Sequence, residues 1–206
     1  MDPELFWERH YRTRHTWGGE GVNPLLAEIA APLRPGTALD LGCGAGGDAV
    51  WLARQGWHVT AVDISATAVQ RLRDRAGDLG FADRVVAERH DLAASFPDGR
   101  FDLVSAQYFQ TPFALDRGRI LRTAAEALRP GGLLLIVDHG STAPWSWNQD
   151  PDVQFPTPAE MAADLALDMA HWPVRRADMP SRSATGPGGR TATVVDNVLL
   201  LQRVVR

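Results

Sequence analysis

The stretch that decides the fold is ALDLGCGAGG, residues 38–47. Ala38, Leu39 and Leu41 read as a buried strand, and Asp40 stands just ahead of three alternating glycines, Gly42, Gly44 and Gly46. Glycine lets a backbone turn sharply and lets a ligand come close with no Cβ in the way. Residues 49–54 then carry helical spacing, and the first turn of a helix presents N–H groups with no partner of their own. Asp63 follows the next apolar run, 57–62, where a carboxylate reaches ribose hydroxyls in an open α/β sheet. Strand, glycine-rich turn, helix and acid together describe a pocket for a nucleoside-bearing cofactor.

Outward from this turn, strand-like runs alternate with helical periodicity, which predicts a doubly wound α/β sheet covered on both faces. Toward the N-terminus, helices are expected over 3–13 and from Pro24, with Asn23 as cap and a turn at Gly18-Gly19. Toward the C-terminus, Ser65 caps a helix carrying Ala68, Val69, Leu72, Ala76 and Leu79. Strands are expected at 84–88, 101–106 and 133–138. A helix over 116–128 is expected to stop at Arg129-Pro130-Gly131-Gly132. A long loop (141–158), a short helix (158–168) and two strands (172–179 and 193–204) joined by a loop at 183–190 complete the chain. Two strands joined without a helix pair antiparallel.

Two cofactors compete for the turn. Gly42, Gly44 and Gly47 with Asp63 also satisfy a dinucleotide fingerprint, which keeps a nicotinamide-dependent oxidoreductase as an alternative. Asp40 favours S-adenosylmethionine, because its carboxylate repels a pyrophosphate and attracts an ammonium and a sulfonium. His90-Asp91-Leu92 offers a further acid for an adenine amino group, and the antiparallel strand pair is unlike simple dinucleotide folds. A cofactor-binding scaffold without turnover is the other alternative.

The sequence resembles the class I S-adenosylmethionine-dependent methyltransferases, and more narrowly their short bacterial tellurite-resistance-type members. The resemblance runs from Trp7 to Tyr11 and Asn23-Pro24 through DLGCGAG (40–46), AVWLARQGWHVTAVDIS (49–65), HDL (90–92), FDLV (101–104), LRPGG (128–132) and QDP (149–151). It implies a Rossmann-like seven-stranded sheet of order 3-2-1-4-5-7-6 with the last strand antiparallel. The expected organisation is an N-terminal helical cap (1–34), a cofactor-binding core (35–138) and a C-terminal segment (139–206) of one domain. The resemblance also implies that Asp63 binds the ribose, that Asp91 and Leu92 hold the adenine, and that the 40–46 loop, with Cys43 in it, holds the methionine end. These relatives often carry Arg-Asn where this chain has Gly47-Asp48.

With 206 residues, 45% apolar and 22% charged, the composition is that of one globular domain. The net charge of −4, with 21 basic residues that are all arginine, gives no basic face for nucleic acid. Cys43, the single cysteine, excludes an internal disulfide and a cysteine-cluster metal site, and the scattered histidines offer no metal site. The acidic Met1-Asp2-Pro3-Glu4 start is no secretory signal. The apolar run 133–137 falls short of the roughly 20 residues that span a bilayer. A soluble cytoplasmic protein, monomer or homodimer, without membrane or nucleic-acid partner and acting on a small-molecule acceptor, is the expectation.

The remaining candidates each carry two readings. Asp91 is an adenine partner or the cap of a short helix after it, and Ile64 lies against the adenine or in the core. Ala106, Gln107 and Tyr108 close the fourth strand at the ligand-binding edge, with Tyr108 near the methyl donor or filling a gap beside the sheet. His139 at the end of the fifth strand is a general base or a structural residue, and Asp138 organises the turn there. Trp51 and Trp57 belong to the core, whereas Trp7, Trp145 and Trp147 wall an acceptor pocket or cover the sheet. Tyr11, Tyr108, His139 and Trp145 are the expected acceptor contacts. Arg182 and Arg190 read as a solvated surface pair, with an anion grip as the sharper alternative.

Overall fold

In a computed structural model of the chain, residues 2–13, 21–146, 149–150 and 152–204 are described. Gly18-Gly19, Trp147 and Pro151 lie outside them. The elements run α1 (Pro3–Thr13), α2 (Pro24–Ala30), β1 (Thr37–Leu41), α3 (Gly47–Arg54), β2 (His58–Asp63), α4 (Ala66–Asp78), β3 (Val85–Arg89), β4 (Phe101–Gln107), α5 (Arg117–Glu126), β5 (Leu128–His139), α6 (Pro158–Leu165), β6 (Val174–Asp178), β7 (Ser181–Thr185) and β8 (Thr191–Gln202).

The caps are those the sequence announces. Asn23 accepts from the Leu25 N–H at 2.9 Å, and Ser65 accepts from the Ala68 N–H at 3.2 Å. Asp116 caps α5, and Thr157 with Glu160 forms a reciprocal capping box on α6.

The strand order is β3-β2-β1-β4-β5-β8-β6, parallel from β3 to β5, with β8 antiparallel to β5 and to β6. The expected order, with an antiparallel terminal pair, is therefore present, but the sheet holds eight strands. The added strand is β7, which lies where a loop was expected and pairs with the first half of β8 from Ser181↔Val195 to Thr185↔Thr191. Small alternating residues on β7 left no apolar period to read.

A second correction concerns 128–132, expected to be a helix stop and turn. These residues open β5 instead, with a register shift against β4 between Phe101 and Leu103. Gly131 at φ +85° turns its N–H onto the Arg203 carbonyl, 2.8 Å away, so the bulge is absorbed within the ladder.

The side-chain period of two divides the core. One face packs Leu103, Leu135, Val137, Val198 and Leu200 against α2, α3 and α4. The other packs Val104, Ala106, Leu134, Ile136, Leu199 and Leu201 against α5 and α6. Trp57 is fully buried and Trp51 packs against the same cluster. On the free edge at β3, the Arg73 guanidinium of α4 donates twice to the Ala87 carbonyl, at 2.6 and 3.0 Å. Among the described residues, no helix is long and apolar enough to cross a membrane.

Candidate functional site

The order reverses between β1 and β4, and open α/β sheets bind ligands at the carboxyl edge beside such a point. A cleft lies there, lined by Gly42, Asp63, Ile64, Asp91 and Leu92 from the cofactor side, by Tyr108 to Gln110 and Phe113 to Leu115 after β4, and by Pro3, Trp7 and Tyr11 of α1.

The turn is built to let groups approach. Gly42 and Gly44 sit at φ +69° and +50°, which side chains rarely tolerate. A Cβ on Gly42 would stand 2.9 Å from the Phe109 ring, and one on Gly44 would stand 2.7 Å from the Tyr11 hydroxyl. Gly46 is the left-handed cap of α3. The turn is tied to β2, since Cys43 N–H donates to the Val62 carbonyl at 2.9 Å and Gly44 N–H donates to Asp63 Oδ2 at 3.0 Å. Asp63 Oδ1 accepts from Ser65 N–H at 2.9 Å, so this buried carboxylate is oriented before any ligand arrives.

Beneath the turn the site is acidic. Asp40 is buried, and its Oδ2 has no hydrogen-bond partner. Asp40 pairs across the sheet with Ser105, whose Oγ accepts from Gln107 Nε2 at 2.8 Å, while Gln107 Oε1 is likewise buried and unpartnered. Burial pushes the Asp40 carboxyl well up, and Asp48 and Asp63 nearby push it further. Asp48, in the first turn of α3, is raised to about 6 by burial although the Asn23 N–H donates to it at 2.6 Å. Burial also raises Asp63, against its backbone hydrogen bonds. Unsatisfied buried acceptors beside crowded acids fit an ammonium and a sulfonium and oppose a pyrophosphate. The site therefore fits S-adenosylmethionine.

Asp91 caps its own turn, accepting from Ala93 N–H at 2.9 Å, and also lines the cleft. Leu92 and Ile64 line it too, whereas Ala106 is buried behind it against the α5 face.

α1 roofs the cleft. Glu8 accepts from the Ser65 and Thr67 hydroxyls and from the Thr67 N–H, which fastens α1 to the start of α4. These bonds, led by the Thr67 hydroxyl, lower the Glu8 carboxyl to about 2. At the other side Phe6 meets Phe113 edge-on, with ring centroids 5.1 Å apart. Burial and the acids around the turn raise the Tyr11 phenol.

Beyond β4 the site is aromatic. Tyr108 holds φ +50°, unusual for a side-chain-bearing residue, and its N–H donates to the Val137 carbonyl at 2.7 Å. Its ring stacks on His139 at 4.3 Å and 17°. Trp145 packs on Gly186 in the β7–β8 turn, and neither Trp145 nor His139 is among the cleft-lining residues, His139 reaching the cleft wall only through its stack on Tyr108.

Arg182 is not a solvated partner of Arg190. It donates to Asp196 and to the Tyr108 hydroxyl, drawn in because buried Asp196 needs a cation. Asp138 is fully buried and faces Arg117 at 2.6 Å, so it belongs to an ion pair under the sheet edge. Sequence reading missed Glu8, Asp48, Phe109 and Asp196. Of these, Asp48 carried a signal, as an acid inside the motif.

Residues 38–132 match the family described as Methyltransferase domain. The 27-O-demethylrifamycin SV methyltransferase of Amycolatopsis mediterranei is 41% identical over 112 residues, 52% of this chain and 40% of that protein. The ribosomal RNA small subunit methyltransferase C of Alcanivorax borkumensis is 37% identical over 124 residues, 57% of this chain and 36% of that protein. The chain thus spans about four tenths of the length of these curated relatives. Among solved structures, one described as "Conversion of a Disulfide Bond into a Thioacetal Group during Echinomycin Biosynthesis" superposes with a TM-score of 0.76 at 26% identity, over 98% of this chain and 93% of that one. TehB from Haemophilus influenzae shares the fold, with a TM-score of 0.70 at 17% identity over 95% of this chain and 66% of that one.

Residues 38–132 thus match a methyltransferase domain, and the strand order and glycine turn are those of the solved structures that share the fold. The cleft at the carboxyl edge of that segment, with Asp40 Oδ2 and Gln107 Oε1 buried and unpartnered nearby, fits S-adenosylmethionine.

Proposed function

We propose that the chain transfers the methyl group of S-adenosylmethionine to a small organic acceptor held between α1 and the loops after β4 and β5. The observation that carries this reading is a pair of buried, unpartnered acceptor oxygens, on Asp40 and Gln107, at the strand ends beside a cleft that Trp7 and Tyr11 of α1 cover. Asp63 holds the ribose, Asp91, Leu92 and Ile64 hold the adenine, and Asp40 with the 42–46 turn holds the methionine end. The bound cofactor supplies a methyl group on a sulfonium that carries its own activation.

The protein's part is placement and exclusion of water. Trp7 and Tyr11 cover the cleft, and Tyr108 shapes the acceptor side. His139 takes the proton of an oxygen or nitrogen acceptor. Desolvation against the protein holds its imidazole below the ordinary value, so it is neutral and able to accept near pH 7, although Asp196 and Asp138 pull the other way. Trp145 backs the hairpin turn behind this wall.

Calorimetry comparing S-adenosylhomocysteine with NADH tests the cofactor assignment, and binding of NADH alone would overturn it. Mass spectrometry of phenol, amine and thiol mixtures with methyl-labelled donor then tests turnover. Tight binding with no labelled product would leave the scaffold reading in its place.

A further inference from the structure

Four residues from four strands meet beside the cleft: Tyr108 just after β4, His139 closing β5, Arg182 near the start of β7 and Asp196 in the middle of β8. His139 and Asp196 are ladder partners, so their side chains share a face of the sheet. The Tyr108 hydroxyl donates to Asp196 Oδ1 at 3.0 Å and accepts from Arg182 Nη2 at 2.8 Å. The Arg182 Nε donates to the second oxygen of the same carboxylate. Asp196 is fully buried, which is costly unless every oxygen is answered, and here both are.

A tyrosine that only filled space beside the sheet would need neither a left-handed backbone nor two ionic partners. From this arrangement we propose that Asp196 and Arg182 are positioning residues for methyl transfer. By clamping the Tyr108 hydroxyl, they fix its ring as the platform on which the His139 imidazole is presented to the acceptor. The proposal rests on the methyl-transfer reading above.

The clamp has a chemical corollary. With its hydroxyl already donating to a carboxylate, Tyr108 stays protonated, and burial followed by the Asp196 charge pushes its phenol up to about 12. The proton-accepting role then falls to His139. The groups that bear on that imidazole are Asp196 from β8, Asp138 beside it on β5, Arg182 from β7 and the Tyr108 ring beneath it. The carboxylates favour its protonated form, whereas Arg182 and desolvation oppose it. Asp196 and Arg182 therefore act on His139 with opposite sign, while both serve the same clamp.

The test is an NMR pH titration of the His139 ring in the full chain with S-adenosylhomocysteine bound, alongside turnover of hydroquinone as probe acceptor. Asp196→Asn should move the His139 midpoint down, and Arg182→Gln should move it up. Each shift should be roughly half a unit, as for a charge removed near a partly solvated ring. Arg182→Lys keeps the charge but loses the forked grip, so it should leave the midpoint near wild type while kcat falls about tenfold or more. In all three variants KM for S-adenosylmethionine should stay within about twofold, because the cofactor side is untouched. Should Asp196→Asn fail to fold, the half-exposed Arg182 variants carry the test alone. If both residues only staple the hairpin, their variants lower the melting temperature while the His139 midpoint and kcat stay put. With an active wild type, that result overturns the proposal alone. A wild type that binds S-adenosylhomocysteine yet methylates no acceptor takes down the functional reading, and the proposal with it.

Discussion

Two helices flank the glycine turn and are held by opposite means. α3 is embedded: Gly47, Ala49, Val50, Leu52 and Ala53 are buried, and packing fixes it. α1 has no fully buried residue and is fastened by Glu8, by the Glu4–Arg89 ion pair and by aromatic edges. Burial on the order of 25 cal/mol per Å² holds the first, while a few part-buried or exposed polar contacts and aromatic edges hold the second. The difference separates a fixed floor from a roof that can lift at little cost, which is what a site that must admit and enclose its ligands requires.

The comparison is broken most directly at Gly44, where floor and roof touch. Gly44→Val should reduce S-adenosylhomocysteine affinity at least 100-fold in calorimetry, because the branched side chain meets the Tyr11 hydroxyl and strains a left-handed residue. The melting temperature should fall by only a few degrees. A variant that does not fold would make this glycine part of the frame first and the ligand cradle second.

Asp63→Ala comes next. Loss of charged hydrogen bonds should weaken S-adenosylhomocysteine binding by about 1.5–3 kcal/mol with the fold intact. Near-wild-type affinity would remove Asp63 from the site.

The acids of the two helices respond to pH with opposite sign. Asp48 of α3 is raised from 3.8 to about 6, so its contribution to folding is present below 3.8 and is lost as pH rises through 6. Glu8 of α1 is lowered from 4.5 to about 2, so its contribution is present above 4.5 and is lost as pH falls toward 2. A bound ammonium favours ionised acids, so S-adenosylhomocysteine affinity should rise about three- to tenfold between pH 5 and 7. Asp48→Asn should flatten that rise, and an unchanged slope would detach Asp48 from the cofactor.

The smallest effect is expected at the latch. Glu8→Ala should speed S-adenosylhomocysteine release about twofold in stopped flow, since the bonds it removes are solvent-screened. A release rate equal to wild type would mean that the aromatic edges alone hold the roof.

Where the sequence was legible, a local rule sufficed. The turn from Asp40 to Gly46, the carboxylate of Asp63 and the caps Asn23 and Ser65 each follow from residue type at a fixed spacing. Alternation and the helix-free final pair gave a covered parallel sheet with an antiparallel end, while the strand order itself came from the family resemblance. What escaped depended on distant partners. Arg182 read as a surface charge because nothing nearby in sequence reveals Asp196 waiting on the next strand. Glu8 became a latch only through Thr67, 59 residues away. The β5 start at Leu128 defeated the rule that proline and glycine end an element, since Arg203 supplies a partner for the bulged backbone. β7 is too short and too polar to announce itself.

One feature of the fold reaches beyond the site. The β3 edge is the margin at which another extended chain could be templated, and Val86 stands exposed there. Arg73 already occupies the Ala87 carbonyl with two donors, so an incoming strand would have to displace a guanidinium to pair with that carbonyl. The same side chain that closes α4 onto β3 therefore acts as a gatekeeper of colloidal behaviour, blunting fibril-like addition at the one end of the sheet that is entirely parallel.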